Sequence, residues 1–442
     1  AGATVRRVER APGLTRLWRA IERRAITWAA RRTLFNPWFK SPTGVAFVRD
    51  MYLRAAHATH HSRATRRATW RFFVTQPLFM IPFKRWRFHR RYGFSMPCFL
   101  ALSPTRRCNL ACQGCFGGGA AADELSFDEV SRIVGEAHNM GICLVVLIGG
   151  EPFCWPPLFR LLEQYPTVTF GIYTNGTLMT PAIAARLAAL GNAQIGFSLE
   201  GFEATTDRRR GAGVFKKVLA GMDACRDAGV HIAYSVTVTR DNSDEVTSDA
   251  FIDLMLAHGC TDGWYYQYMP VGCGPDLALL PTAEQREQRR QRFVELRRTQ
   301  AINLFDFVND GELAGGCICG GRFYVHINAA GDVEPCAFYP FAASNIRNSS
   351  LLQALQSPFF RAIREHQHKA TNPFAPCPII DHPTRLREAV RTGGAYPTQP
   401  TAGQLLEELS GPLDAQAAQY RAHADAAWQR TTTPATDAST RE

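Results

Sequence analysis

Between residues 98 and 268 short apolar runs alternate with helical patterns, and this alternation constrains the fold more than any other feature. The runs at 98–102, 143–148, 167–173, 194–198, 231–237 and 263–268 have strand length, and helices fit between them at 126–139, 180–190, 214–227 and 245–258. Strand and helix in regular turn predict an α/β chain: a parallel sheet with helices outside it, open or curved into a partial barrel. At 442 residues the chain exceeds what one core organises, so accessory pieces are expected on either side.

The N-terminal flank is basic. Residues 1–93 hold 21 Lys and Arg against Glu9, Glu22 and Asp50, a balance of +18, and the formal +11 of the whole chain leaves −7 for the rest. Within 14–29, Leu14, Leu17, Trp18, Ile21, Ala25, Trp28 and Ala29 fall on one helical face, with Arg16, Arg19 and Arg23 opposite. The stretch 70–94 mixes aromatic residues with Arg and Lys, and Pro77 and Pro82 predict that it is not one straight helix. No apolar run reaches the roughly 18 residues of a membrane span, and no secretory h-region is visible, so a cytoplasmic location is expected, with peripheral contact at the inner face of the membrane. Thirteen cysteines without a signal favour metal binding or buried thiols over disulfides.

Cys108, Cys112 and Cys115 place three thiols within eight residues on the loop after the first strand. Three close thiolates can hold three irons of a [4Fe–4S] cluster and leave the fourth open. A structural zinc site usually takes four protein ligands, commonly with two-residue spacing, and fits poorly. Arg107, Asn109, Leu110 and Phe116 around the triplet resemble the radical SAM superfamily, and Gly149-Gly150-Glu151-Pro152 after the second strand looks like its GGEP motif. Tyr173-Thr174-Asn175-Gly176, Ser198-Leu199-Glu200-Gly201 and the stretch from Asp207 to Arg210-Gly211 are similar to later stations of the same family.

The resemblance, which covers roughly 97–377, implies a partial (β/α)6 barrel. It also implies a [4Fe–4S] cluster on Cys108, Cys112 and Cys115, and S-adenosylmethionine (SAM) held by Gly149, Gly150, Glu151, Pro152, Asn175, Ser198 and Arg210. A one-electron donor such as flavodoxin or ferredoxin is implied too. Relatives often carry an aromatic before the third cysteine; here that residue is Gly114, and Phe116 is the expected adenine contact. Cys317, Cys319, Cys336 and Cys377 lie in a stretch that resembles a SPASM extension and are the expected ligands of an auxiliary [4Fe–4S] cluster, with Cys273 as a fifth candidate. A mononuclear iron or zinc site is the alternative there. Cys98, Cys143, Cys154, Cys225 and Cys260 are expected to be buried small hydrophobes.

The expected division is a basic helical region at 1–95, a radical SAM core at 96–305, a SPASM-like region at 306–385 and a helical, then disordered tail at 386–442. Residues 283–299 predict a solvated helix, and 313–377 shows few helical signals. The basic aromatic flank predicts contact with an anionic membrane and a hydrophobic, lipid or isoprenoid substrate. A maturase acting on a ribosomally made peptide is the alternative, and no nucleic acid partner is expected, because an RNA-binding protein would leave the GGEP and later stations without purpose.

Overall fold

The computed structural model describes residues 42–57, 60–117, 123–368 and 372–432. All six predicted strands form: β1 (Phe99–Leu102), β2 (Leu144–Leu147), β3 (Thr169–Thr174), β4 (Ala193–Leu199), β5 (His231–Val238) and β6 (Asp262–Gln267). They pair in sequence order, all parallel. The helices between them are cut by local chemistry. Ser126 and Glu129 form a capping box at the start of Phe127–Met140, and Gly141 in the left-handed region closes it. Pro181 opens Pro181–Leu190 behind the Thr180 cap.

Two further strands extend the sheet. β7 (Asn303–Asp306) joins β6, and β8 (Tyr324–Ile327) joins β1, both parallel, with β9 (Val333–Glu334) antiparallel on β8. The expected boundary at 305/306 therefore falls inside β7, and the cysteine-rich extension shares the core's sheet.

The sheet is curved into a partial barrel. On a flat sheet β3 and β6 would stand about 14 Å apart, yet the Tyr266 hydroxyl donates to the Tyr173 hydroxyl at 2.8 Å. Phe307, just after β7, meets Tyr324 of β8 at 5.9 Å between ring centroids, although six strands separate the two in the sheet. Inward-facing aromatics from the two ends of the sheet thus close over the interior.

The N-terminal residues 42–92 pack under the opposite rim, where the strands begin. Arg54 donates to Ile302 O before β7, Ser62 N to Gly229 O before β5, and Gln76 to Thr167 O before β3. Arg85 reaches the Cys98 sulfur before β1, and Lys84 the carbonyl of His138 before β2. The prolines are absorbed by a change of winding: Arg63–Trp70 is α, Arg71–Met80 is π and Ile81–Tyr92 is α again. The wider π register accommodates Pro77, which has no N–H to donate, and Pro82 sits in a first turn where its N–H is not missed. The amphipathic pattern at 14–29 and most of the tail expected to be disordered lie outside the described residues.

Ala283–Thr299 is helical but solvated on one face only, because Arg286, Glu287 and Arg289 are buried. Arg289 bonds Asp306 at 2.8 Å and Gln267 at 2.9 Å, tying the helix to the ends of β6 and β7. Helices also form at Leu351–Leu355 and Pro358–His368, in the stretch with few helical signals, where buried Phe359, Phe360 and Ile363 supply the apolar face. Arg289→Met should strand the buried Asp306 charge and lower the unfolding free energy by about 3–5 kcal/mol in denaturant titrations.

Candidate active site and auxiliary cysteine group

Because the eight strands run parallel, their C-terminal ends share one rim, where the loops of a ligand site gather in curved α/β sheets. The Cys108–Cys115 loop follows β1, the GGEP turn follows β2, and Asn175 follows β3. Ser198 lies at the end of β4 with Glu200 just beyond it. The GGEP turn lies against the β1 loop, with Gly150 N bonded to Thr105 O and Glu151 N to Arg107 O at 2.9 and 2.8 Å. Gly149 has φ +113°, and a Cβ there would lie 2.8 Å from Ser103 Cβ; at Gly150 it would strike the carbonyls of Arg106 and Arg107. Only glycine permits this approach.

Glu151 is fully buried and accepts three hydrogen bonds from its own chain: Phe153 N at 3.1 Å, the Thr174 hydroxyl at 2.8 Å and Asn175 N at 2.7 Å. Burial raises its pKa, while these donors stabilise the carboxylate. Its first task is thus to fasten the GGEP turn to the end of β3. Asn175 is positioned in consequence: its side-chain amide donates to Asn109 at 2.7 Å and faces the Cys108 sulfur at 3.7 Å.

Glu200, also fully buried, pairs with both Arg209 and Arg210, the latter at 2.5 Å. Arg209 in turn donates to the Gln113 carbonyl at 3.1 Å, inside the cysteine loop. Burial pushes the Cys108 and Cys112 thiols up, whereas Arg210 and Arg209 pull Cys112 back toward the thiolate. Ser198 bonds the Ser235 hydroxyl at 3.1 Å. Phe116 packs edge-on against Phe338 of the extension at 5.0 Å. Gly114 has φ +62° and lies under the Tyr268 ring, 2.9 Å from where its Cβ would be. Asn109, Thr174 and Arg209 are legible in the sequence only as members of family motifs, with no role of their own, and Tyr268 is not singled out there; the Arg209-Arg210 doublet beside a carboxylate station could have signalled Arg209.

Cys317, Cys319, Cys336 and Cys377 converge below Pro358–His368. Cys317 and Cys319 sulfurs lie 3.3 Å apart, and Gln367 donates to Cys319 at 3.3 Å. The Cys319 thiol is raised by its bond with Cys317, by burial, and by the charges of Cys317, Cys336 and Cys377. The Tyr324 hydroxyl donates to Cys336 at 2.7 Å, and burial pushes that thiol up to about 12. Asp381 accepts from Cys377 N at 2.9 Å and pairs with buried Arg286. Three buried thiols, with the half-buried Cys317 thiol lowered by its bond with Cys319, suit a cationic iron cluster, which lets all four deprotonate. Among the described residues no three His, Cys, Asp or Glu side chains are placed to hold a single metal ion.

Cys273 lies beside the first triplet, its N–H bonding Cys115 O at 3.2 Å. Cys98, Cys143, Cys225 and Cys260 are core residues, but Cys154 is half-buried near Glu151. Between the two cysteine groups, Ser103 of the β1 loop bonds His326 of β8 at 2.8 Å, and His326 bonds Glu334 of β9 at 2.6 Å.

The comparisons agree with this architecture. Residues 102–251 match the radical SAM superfamily, and 317–378 match SPASM, an iron–sulfur cluster-binding domain. The mycofactocin maturase MftC of Mycolicibacterium smegmatis is 33% identical over 294 residues, covering 62% of this chain and 74% of that protein. An AdoMet-dependent heme synthase of Methanosarcina barkeri is 27% identical over 61% of this chain and 85% of that protein. Streptococcus suis SuiB bound to S-adenosylmethionine has the same fold, with TM-score 0.55 and 16% identity over 66% of this chain and 73% of that one. The chain belongs to the radical SAM superfamily, in its branch with a SPASM extension. It is an enzyme that uses a [4Fe–4S] cluster and SAM, with auxiliary iron–sulfur binding in the extension.

Glu151→Ala should leave buried donors at Phe153, Thr174 and Asn175 unsatisfied, at about 1–3 kcal/mol each. A lowered thermal midpoint together with disturbed SAM binding is the expected result.

Proposed function

We propose that Cys108, Cys112 and Cys115 hold the SAM-cleaving cluster and that Cys317, Cys319, Cys336 and Cys377 hold the auxiliary one. The fit rests on Cys112 and Cys115, half-buried beside Arg210, with Cys108 exposed on the same loop, and on the convergence of Cys319, Cys336 and Cys377 with Cys317. Bound and reduced there, the cluster would supply the electron for reductive SAM cleavage and so the hydrogen-abstracting chemistry of the family. The chain's own part is placement. Gly149 and Gly150 leave room for the methionine end of SAM at the rim, and Pro152 fixes the exit of that turn. Asn175, Ser198 and Arg210 offer polar partners around it, and Phe116, braced by Phe338, offers a ring to the adenine.

The substrate we infer is a ribosomally made peptide. The observation that carries this is the likeness to a named maturase, 33% identical over three quarters of its length. The interior supports it: Tyr173, Trp264, Tyr266, Phe305 and Phe307 line the chamber with aromatic rings, suited to an apolar or aromatic side chain presented through the mouth. The lipid or isoprenoid reading has less behind it. The described part of the basic aromatic flank that motivated it lies under the rim where the strands begin, at the far end of the barrel from the cysteine loop.

Changing Cys108, Cys112 and Cys115 together to Ala should abolish 5′-deoxyadenosine formation while iron remains in the extension, read by chromatography and iron assay. Retained SAM cleavage would refute the assignment. With intact enzyme, dithionite and deuterated candidate precursor peptide, deuterium should appear in 5′-deoxyadenosine by mass spectrometry. Its appearance only with deuterated lipid extract would overturn the peptide reading.

A further inference from the structure

The three most exposed aromatic side chains among the described residues all lie on the helical run 63–92: Trp70 at 59%, Phe83 at 62% and Trp86 at 57%. Large rings left this bare are uncommon on a soluble surface unless something covers them. In Ile81–Tyr92 the inward face carries buried Ile81 and Phe88. Phe83, Trp86, Arg87 and Arg90 recur at three- and four-residue spacing on the other face and are all exposed. The Phe83 and Trp86 rings lie 6.0 Å apart, and the Arg90 guanidinium sits 5.4 Å from the Trp86 ring centroid.

The charge of this surface is one-signed. From residue 51 to residue 98 the sequence has no acidic residue, against ten Lys and Arg. Exposed Arg63, Arg66, Arg67, Arg87, Arg90 and Arg91 belong to the same helical run. The covering partner must therefore be anionic and must accept bulky rings at its boundary. Residues 1–41 do not meet the first condition, since they carry ten Lys and Arg against two Glu. An anionic bilayer meets both, offering phosphate headgroups to Arg and an interfacial layer to Trp and Phe.

We propose that the outer face of the N-terminal cap, centred on Phe83, Trp86, Arg87 and Arg90, docks the enzyme on an anionic membrane surface. The cap lies under the rim where the strands begin, and the cysteine loop opens at the other, roughly 20 Å away at strand lengths of four to eight residues. Docking thus turns the mouth away from the bilayer, toward substrate arriving from solution. The proposal is independent of the peptide reading, because it is measured without turnover.

The test is co-sedimentation of the full chain with vesicles of phosphatidylcholine alone or with phosphatidylglycerol added. We expect sedimentation with the phosphatidylglycerol vesicles at low salt, and loss of most of it at high salt. Arg87→Glu with Arg90→Glu should lower partitioning by about tenfold or more. Phe83→Ser with Trp86→Ser should weaken it at all salt concentrations, because apolar insertion is not screened. All four side chains are exposed, so iron content and SAM cleavage should be unchanged. Absence of sedimentation at low salt overturns the proposal. So does binding that survives both double variants, which would place the contact on residues 1–41, or binding to single-stranded RNA without binding to vesicles.

Discussion

Every functional arrangement in this chain depends on the parallel pairing of β1 through β8. Parallel strands put all C-terminal ends at one rim, so loops from five places in the sequence meet there. The same pairing gathers the N-terminal ends at the other rim, which residues 42–92 close off. Curvature then decides how large the interior is. Aromatic rings from β3, β6 and β8 and from the turn after β7 meet across the barrel, so the walls are held apart by side chains rather than by a ligand.

Two buried carboxylates convert this scaffold into a site. Burying a charge is costly unless it is paired or hydrogen-bonded on several sides. Glu151 meets that requirement with three donors from the β2 and β3 ends, and Glu200 with two guanidinium groups. Each therefore fixes loops that packing alone would leave free. The cysteine loop is reached from both: through Asn175 and Asn109 on one side, through Arg209 and the Gln113 carbonyl on the other. The auxiliary group follows similar logic, with Asp381 holding the Cys377 backbone against a buried arginine.

Much of this was legible in the sequence because the signals are local. Six strands are visible as apolar runs, and the cysteine triplet and GGEP are contiguous. What could not be read depends on partners far along the chain. β7 is short and ends in Asp306, whose role appears only beside Arg289. The 283–299 helix looks solvated because its arginines find Asp306 and Asp381 only in the fold. The stretch around Pro77 hides a change of helical winding that no residue pattern announces. Cys273 looks like a neighbour of the later cysteines by sequence distance, but its backbone N–H donates to the Cys115 carbonyl. Nor does the basic flank reveal, by composition, which rim it covers.

The pairing of β8 with β1, and the Ser103–His326–Glu334 chain across it, bear on how enzymes of this architecture can diversify. An extension joined by a linker could be exchanged between relatives as a cassette. Here the extension supplies the wall beside the first strand and a hydrogen-bonded seam that ends on Ser103, where the cysteine loop begins. A chimera carrying another member's extension would therefore inherit part of that member's reaction chamber. Recombination at this point exchanges catalytic surroundings along with cluster ligands, so the two segments are constrained to change together.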